Sequence, residues 1–344
     1  MKALLELQQK LLPELMEFMQ KRYRILQYIR FMQPIGRRSL ATQLDVTERI
    51  LRSEVTLLKN QGLLDVSQTG MQLTEDGERL LDQLEDIMKE ILGLGVLEKK
   101  LKDILQLDQV VVVSGDSDKD ELSKVEMGRA CVACMKGHYQ SNNTIAVTGG
   151  TTMAAVAEMM TPDTKGRELL FVPARGGLGE NVQNQANTIC AKMAEQANGA
   201  YRLLHVPDQL STAAYQSLTA EPSIRDVLAL IKTPTMVVHG IGNALTMAER
   251  RKTSHEDFDK IHSGKAVAES FGYYFDSEGN IVHRVTTVGL QLEDLQSVQS
   301  VIATAGGASK ASAIMAYMKQ NTSTILITDE GAAQAIVRDY SLSS

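Results

Sequence analysis

The chain has 344 residues, of which 43% are hydrophobic and 23% charged, with 25 Gly and 7 Pro. This balance excludes a disordered, collagen-like or low-complexity protein, and the length suits about two domains. Three Cys exclude a disulfide scaffold and suit a reducing cytoplasm, and Met1 to Lys10 lack the apolar run of a signal peptide.

The net charge of −6 is unevenly spread. Residues 1–60 hold 11 Lys+Arg against 6 Asp+Glu, so the remaining chain carries −11. A basic head on an acidic body argues for one polyanion-facing domain, not for a nonspecific polyanion binder. No apolar stretch is long enough to span a membrane.

The head reads as a winged helix. Leu4 to Ile29 is helical in period, with Leu12, Leu15, Met16, Met19, Ile25, Leu26 and Ile29 as candidate core. Pro34 and Gly36 interrupt it. A short helix from Arg37 to Leu44, a turn at Asp45-Val46 and a second helix from Glu48 to Gln61, capped by Thr47 and stopped by Gly62, form a helix-turn-helix. Ile50, Leu51, Val55 and Leu58 are expected to pack inward. Arg49, Arg52, Ser53 and Thr56 fall on one stripe, which suits base readout in a major groove. Arg37, Arg38 and Lys59 suit phosphate contacts, and Thr47 at the helix start is counted with this group among the DNA-binding residues. Leu64/Val66 and Met71/Leu73 flank Gln68-Thr-Gly70 as a hairpin, the wing. The DNA-binding domain is thus expected over 1–75.

A linker helix follows over 76–95. Leu80, Leu84, Ile87, Ile91 and Leu94 are spaced as a short heptad seam, which suits either dimerisation or packing within the chain.

Residues 96–344 alternate short apolar runs with helical segments, the pattern of a parallel sheet covered on both faces. Strands are expected at Val110–Val113, Thr144–Thr148, Leu169–Val172, Tyr201–Val206, Thr235–His239, Val298–Thr304 and Thr324–Ile327, with an inserted hairpin within Phe271–Val288. Helices are expected at Asp120–Met135, Thr152–Met160, Asn181–Ala197, Ser223–Ile231, Ser309–Lys319 and Glu330–Arg338. Ligands bind such sheets where strands end. There lie Thr148-Gly-Gly-Thr-Thr152, Pro173-Ala-Arg-Gly-Gly177, Gly240-Ile-Gly-Asn243 and Ala305-Gly-Gly-Ala-Ser-Lys310. Gly-rich corners at helix starts, with Arg175 and Lys310, make an anion site. Cations on separate loops suit two phosphates, hence a bisphosphorylated small molecule. Neither nucleotide glycine motif is present, and Arg175-Gly-Gly-Leu-Gly179 resembles one only superficially.

Other chemistry is thin. Cys131 and Cys134 form C-x-x-C on a helix without a second pair, so buried small residues are expected instead of a metal or redox site. His255 and His262 read as part of a solvated polar segment. Asp116, Asp118 and Asp120 suit a polar helix start, with a cation site or a base as the alternative. No catalytic residue and no metal or cofactor is expected.

Gln20-Lys-Arg-Tyr-Arg-Ile-Leu-Gln-Tyr-Ile-Arg30, Pro34-Ile-Gly-Arg-Arg-Ser-Leu40 and three of the strand-end corners, at 148–152, 173–177 and 305–310, resemble the SorC family of sugar-responsive bacterial transcription regulators, over essentially the whole chain. The resemblance implies a winged helix joined to a Rossmann-like α/β domain similar to phosphosugar isomerases and deaminases. It implies a repressor of glycolytic genes, tetrameric on operator DNA and induced by fructose 1,6-bisphosphate. It carries effector contacts to Gly149, Gly150, Thr151, Thr152, Arg175, Gln185, Arg250, Glu269 and Lys310. The residues leave two other readings open: an activator, and an active sugar-phosphate isomerase or deaminase with Asp116 or Glu269 as base.

Overall fold

The computed structural model describes residues 11–177 and 181–343, and falls into two compact units, Met1–Gly95 and Val96–Ser344. The expected helical residues before Leu11, and Leu178 and Gly179 of the glycine-rich run, lie outside the described residues.

In the first unit, helix α1 spans Pro13–Met32, α2 Arg37–Gln43 and α3 Glu48–Asn60; a two-stranded antiparallel wing pairs β1 (Leu64–Val66) with β2 (Met71–Leu73); α4 runs Glu75–Ile91. Local chemistry sets these limits. Thr47 accepts from the Ile50 amide and Thr74 from the Gly77 amide, satisfying N-terminal donors. Gly62 adopts φ 76° just past the end of α3, a conformation that side chains resist.

Three residues expected in the core are exposed. Leu12 and Leu15 are 46% and 43% exposed, because the unit covers α1 mainly from Tyr23 onward. Ile50 is 44% exposed: it sits one residue, about 100° of helix, ahead of the buried Leu51–Val55–Leu58 stripe. In α4 the buried residues are Gly77, Leu81, Met88 and Ile91, and the helix packs on α1. Leu80, Leu84 and Ile87 of the seam are therefore only half-buried.

The second unit opens near the start of α5 (Leu94–Leu105). Its body is a seven-stranded, all-parallel sheet. The strands are β3 (Gln109–Val113), β4 (Asn142–Val147), β5 (Glu168–Pro173), β6 (Ala200–Tyr201), β7 (Met236–His239), β12 (Ser300–Thr304) and β13 (Ile325–Asp329), in spatial order β3-β13-β12-β7-β4-β5-β6. The flanking helices include α6 (Glu121–His138), α7 (Thr151–Glu158) and α8 (Ala186–Ala197), and α9 (Thr212–Ala220) and α10 (Pro222–Lys232) lead into β7. Met127, Cys131, Ile145, Phe171, Met193 and Val238 pack in one core between helices and sheet.

From β4 the chain runs outward through β5 and β6, returns to lay β7 on the other side of β4, then runs outward again to β12 and β13. The topological switch point, where α/β sheets open a crevice, lies between β4 and β7.

Between β7 and β12 the chain inserts a four-stranded antiparallel sheet of β8 (Gly242–Asn243), β9 (Ala268–Ser270), β10 (Tyr273–Phe275) and β11 (Ile281–Arg284). It carries α11 (Ala244–Arg250) and α12 (His255–Ser263) around Ala244, Ala248, Ile261 and Tyr274. The inserted hairpin is where the sequence places it, but α11 and α12 were not anticipated. The supposed solvated segment at His255–His262 is a Ser254-capped helix that buries Ile261.

Elsewhere, only Tyr201 of the expected Tyr201–Val206 strand pairs with the sheet, beside Ala200. The chain then leaves the edge, bridging Pro207 to Gly177 and Gln209 to Thr287. The expected helix from Asn181 breaks into a 3₁₀ turn, Val182–Asn184, and α8, so Gln185 caps α8 instead of lying within it.

Candidate functional site

One cavity at the switch point is lined by Thr148, Gly149, Gly150, Thr151 and Thr152 after β4, Arg175 after β5, and Gln185 before α8. Gly240 after β7, Arg250 at the end of α11, Glu269 of β9 and Lys310 after β12 line it as well. All nine residues proposed for the effector converge here, from segments up to 161 residues apart in sequence.

The β4 corner is a glycine turn that opens directly into α7. Gly150 holds φ 122°, and no side chain caps that helix. The Gly150 amide itself donates to Asn184 O (2.8 Å), and a Cβ on Gly149 would lie 2.6 Å from that same carbonyl. Thr148 Oγ1 accepts from the Gly240 amide at 3.2 Å, tying the corner to β7.

The Lys310 corner is held by carboxylates. Asp329, fully buried, accepts from the amides of Ser117 and Gly307; Asp118 accepts from the Ser309 amide and hydroxyl; Asp116 accepts from the Ala308 amide. Asp120 caps α6. The alternating aspartates thus shape a loop. Hydrogen bonds from Lys119, Asp118 N and Ala308 N outweigh desolvation and keep Asp116 below its ordinary pKa. Among the described residues no cluster of metal-ligating side chains occurs. Burial pulls the Lys310 ammonium below an ordinary lysine; Asp118 and Asp329 oppose the shift, and Lys124 and Arg250 reinforce it.

Arg175 is not the free guanidinium that the sequence suggests. Its Nε and Nη2 donate to the two oxygens of Asp208 at 2.8 and 2.9 Å. Arg251 donates to Asp208 Oδ2 (2.6 Å) and to Glu269 Oε1 (2.7 Å), and Glu269 Oε1 also accepts from the Gly272 amide. These are two cations and two carboxylates, all buried. Desolvation would raise the Glu269 pKa, but Arg251, Arg175 and the Gly272 amide outweigh it and hold the pKa below the ordinary value. Both carboxylates that the sequence offers as bases, Glu269 and Asp116, are thus held below their ordinary pKa. Arg251 stands out in the sequence only as half of an Arg doublet. Asp208 has no local signal at all, since its partners lie 33 and 43 residues away.

His239 ends β7, with Nδ1 donating to Gly240 O (3.0 Å) and Nε2 beside Ser323 Oγ (2.8 Å) and Tyr317 Oη (3.3 Å). Burial holds its pKa down at about 4, so it is neutral. Cys131, Cys134 and Cys190 are buried thiols, the first two pushed up to about 12 and about 11 by burial. Cys131 and Cys134 behave as the small core residues expected.

In the first unit, Arg49, Arg52, Ser53 and Thr56 line one exposed face of α3 with Asn60 and Gln61. Arg37, Arg38 and Lys59 are exposed, and Arg38 pairs with Glu48 across the turn. Thr47 is occupied as the cap of α3. Glu54, on the opposite side of α3, is pinned by Lys21 (3.0 Å) and Arg22 (2.9 Å) of α1.

Comparison with known proteins defines the class. A sugar-binding domain model matches residues 89–338, and a model described as the CggR N-terminal DNA binding domain matches residues 18–88. The chain belongs to the SorC family of sugar-binding transcriptional regulators. It is 63% identical to the central glycolytic genes regulator of Priestia megaterium, covering 99% of this chain and all of that protein. It is 59% identical to the protein of the same name from Bacillus subtilis, covering 98% and 100%. A SorC-family structure from Enterococcus faecalis is 48% identical, with a TM-score of 0.67 over 70% of this chain and 99% of that one. The full-length sorbitol operon regulator of Klebsiella pneumoniae shares the fold, with a TM-score of 0.67 at 16% identity, over 93% of this chain and 98% of that one. Among the described residues no helix is long and apolar enough to cross a membrane.

Proposed function

We propose that this protein represses central glycolytic genes, binding operator DNA through α3 and its wing and yielding to a sugar bisphosphate, fructose 1,6-bisphosphate, in the switch-point cavity. The name shared by its two relatives at 59% and 63% identity supports the regulatory role. The observation that carries the effector reading is the convergence of the uncapped α7 amides, Arg250 and Lys310 on one cavity. An anion needs both the oriented amides and the cations, and two phosphates need cations at separate places. The protein is a regulator and not an enzyme; Glu269, the carboxylate in the cavity, is held ionised and serves to accept hydroxyl protons in hydrogen bonds.

It acts as a homo-oligomer, a dimer or tetramer on a two-fold operator. The half-buried Leu80, Leu84 and Ile87 of α4 support an apolar contact between copies. Release requires that the effector bind the DNA-free arrangement more tightly than the DNA-bound one, because equal affinity shifts nothing. The test is a mobility-shift titration of the full chain on its operator with a panel of sugar mono- and bisphosphates at fixed salt. Release by fructose 1,6-bisphosphate at concentrations where monophosphates leave the complex intact is expected. Equal potency across the panel would refute the assignment, and tighter binding to DNA would make the protein an effector-dependent binder instead.

A further inference from the structure

The cavity wall formed by Arg175 and Glu269 differs from the rest of the site. At the α7 corner and around Lys310 and Arg250 the wall offers amides and cations. At Arg175–Glu269 a donor and an acceptor stand side by side, Nη1 to Oε1 3.6 Å apart. Behind them, out of the cavity, lie Asp208 and Arg251, whose side chains are 2% and 0% exposed. Asp208 takes the Nε–Nη2 edge of Arg175 in a two-bond grip, and Arg251 ties Asp208 to Glu269. Among the described residues no hydrogen bond engages Arg175 Nη1 or Glu269 Oε2, so both remain for a ligand.

The backbone fixes Asp208 as firmly as its side chain. Its amide donates to Gly177 O (2.9 Å), and its carbonyl accepts from the Val288 amide (3.0 Å). Gly176 passes so close that a Cβ would lie 2.6 Å from Pro207 O. The carboxylate is therefore set by three segments of chain and cannot follow Arg175 elsewhere.

From this geometry we infer that Asp208 is a positioning residue which, with Arg251, turns the Arg175–Glu269 wall into a charge-balanced donor–acceptor pair that reads sugar hydroxyls, while the phosphates are taken elsewhere in the cavity. A hydroxyl both donates and accepts, so it satisfies Arg175 Nη1 and Glu269 together. A phosphate placed there meets the Glu269 carboxylate, and the Arg175 charge that would attract it is already matched by Asp208. A site built to bond hydroxyls penalises a ligand lacking them, because its buried polar groups are left unpaired. The inference rests on the effector reading above and assigns the part of the ligand each wall recognises.

The experiment compares fructose 1,6-bisphosphate with hexane-1,6-diol bisphosphate, which has the two phosphates and no ring or free hydroxyl. Both are titrated calorimetrically into full-length wild type and Asp208→Asn. The variant loses one negative charge and one arm of the grip. Expected is at least a tenfold loss for the sugar, with the diol bisphosphate unchanged or bound more tightly. Asp208→Glu, which retains the carboxylate, recovers part of the sugar affinity and serves as the reporter should Asp208→Asn fail to fold; there, equal losses for both ligands overturn the proposal. A parallel loss for both ligands in Asp208→Asn would make Arg175 a phosphate contact and overturn the proposal, as would no change for either. Wild type that binds the diol bisphosphate as well as the sugar overturns this inference alone, whereas wild type that binds neither overturns the effector reading and the inference with it.

Discussion

Gly149→Ala is the sharpest test of how the anion corner is built. A Cβ there would stand 2.6 Å from Asn184 O and 3.3 Å from Ala186 N, both backbone atoms that cannot rotate away. Relief of roughly 0.8 Å requires the β4 corner to part from the 3₁₀ turn before α8, against an ordinary contact of about 3.4 Å or more. That movement strains the Gly150 N to Asn184 O bond of 2.8 Å, whose loss costs about 0.5–1.5 kcal/mol. Overpacking adds about 1–3 kcal/mol. The first amides of α7 tilt with the corner, so about one to two decades of effector affinity should be lost, at about 1.4 kcal/mol per decade. Gly137→Ala is the control: it lies in α6 outside the cavity, and a Cβ there would meet no neighbouring atom within 4 Å. Thermal unfolding and calorimetric titration of both variants read the outcome. If Gly149→Ala bound the sugar bisphosphate like wild type, or if Gly137→Ala lost as much, the account of the corner would be refuted.

Lys310→Met should cost at least tenfold in sugar bisphosphate affinity with little change in melting temperature, and in the wild type the affinity should begin to fall at a lower pH than an ordinary lysine would give, since burial lowers its pKa; a flat profile from neutral pH to pH 10 would remove Lys310 from the site. Glu54→Gln should destabilise the first unit by about 1–2 kcal/mol, below the fully buried case because Lys21 and Arg22 are each 33% exposed. The lowered Glu54 pKa makes this contribution present above its unfolded value, near 4.5, and lost as pH falls through the lower folded value, so wild type and variant should converge in stability in acid; a constant gap down to pH 2 would contradict the pairing. Arg52→Ala should weaken operator binding by about 1–3 kcal/mol and random DNA by less, at one salt concentration; equal losses would demote Arg52 to a phosphate contact.

The sequence by itself determined whatever depends on neighbours along the chain. The caps at Thr47 and Thr74, the stop at Gly62, the Leu64/Val66–Met71/Leu73 wing and the glycine corners after β4 and β12 are local devices, set by turn chemistry and by the 3.6- and 2-residue periods. The tertiary structure decided everything that depends on charge partners far apart in sequence. Asp208 meets Arg175 across 33 residues and Arg251 across 43, and Asp118 meets Ser309 across 191. Hence a guanidinium that reads as a free anion ligand is in fact neutralised, and while Asp120 caps α6 as a helix start should, Asp116 and Asp118 brace the lysine loop. Likewise Ile50 is apolar and helical on the page, but only the position of the neighbouring helices tells which side of α3 they cover. Local conformation is encoded within a few residues, whereas burial and electrostatic environment belong to the packed whole.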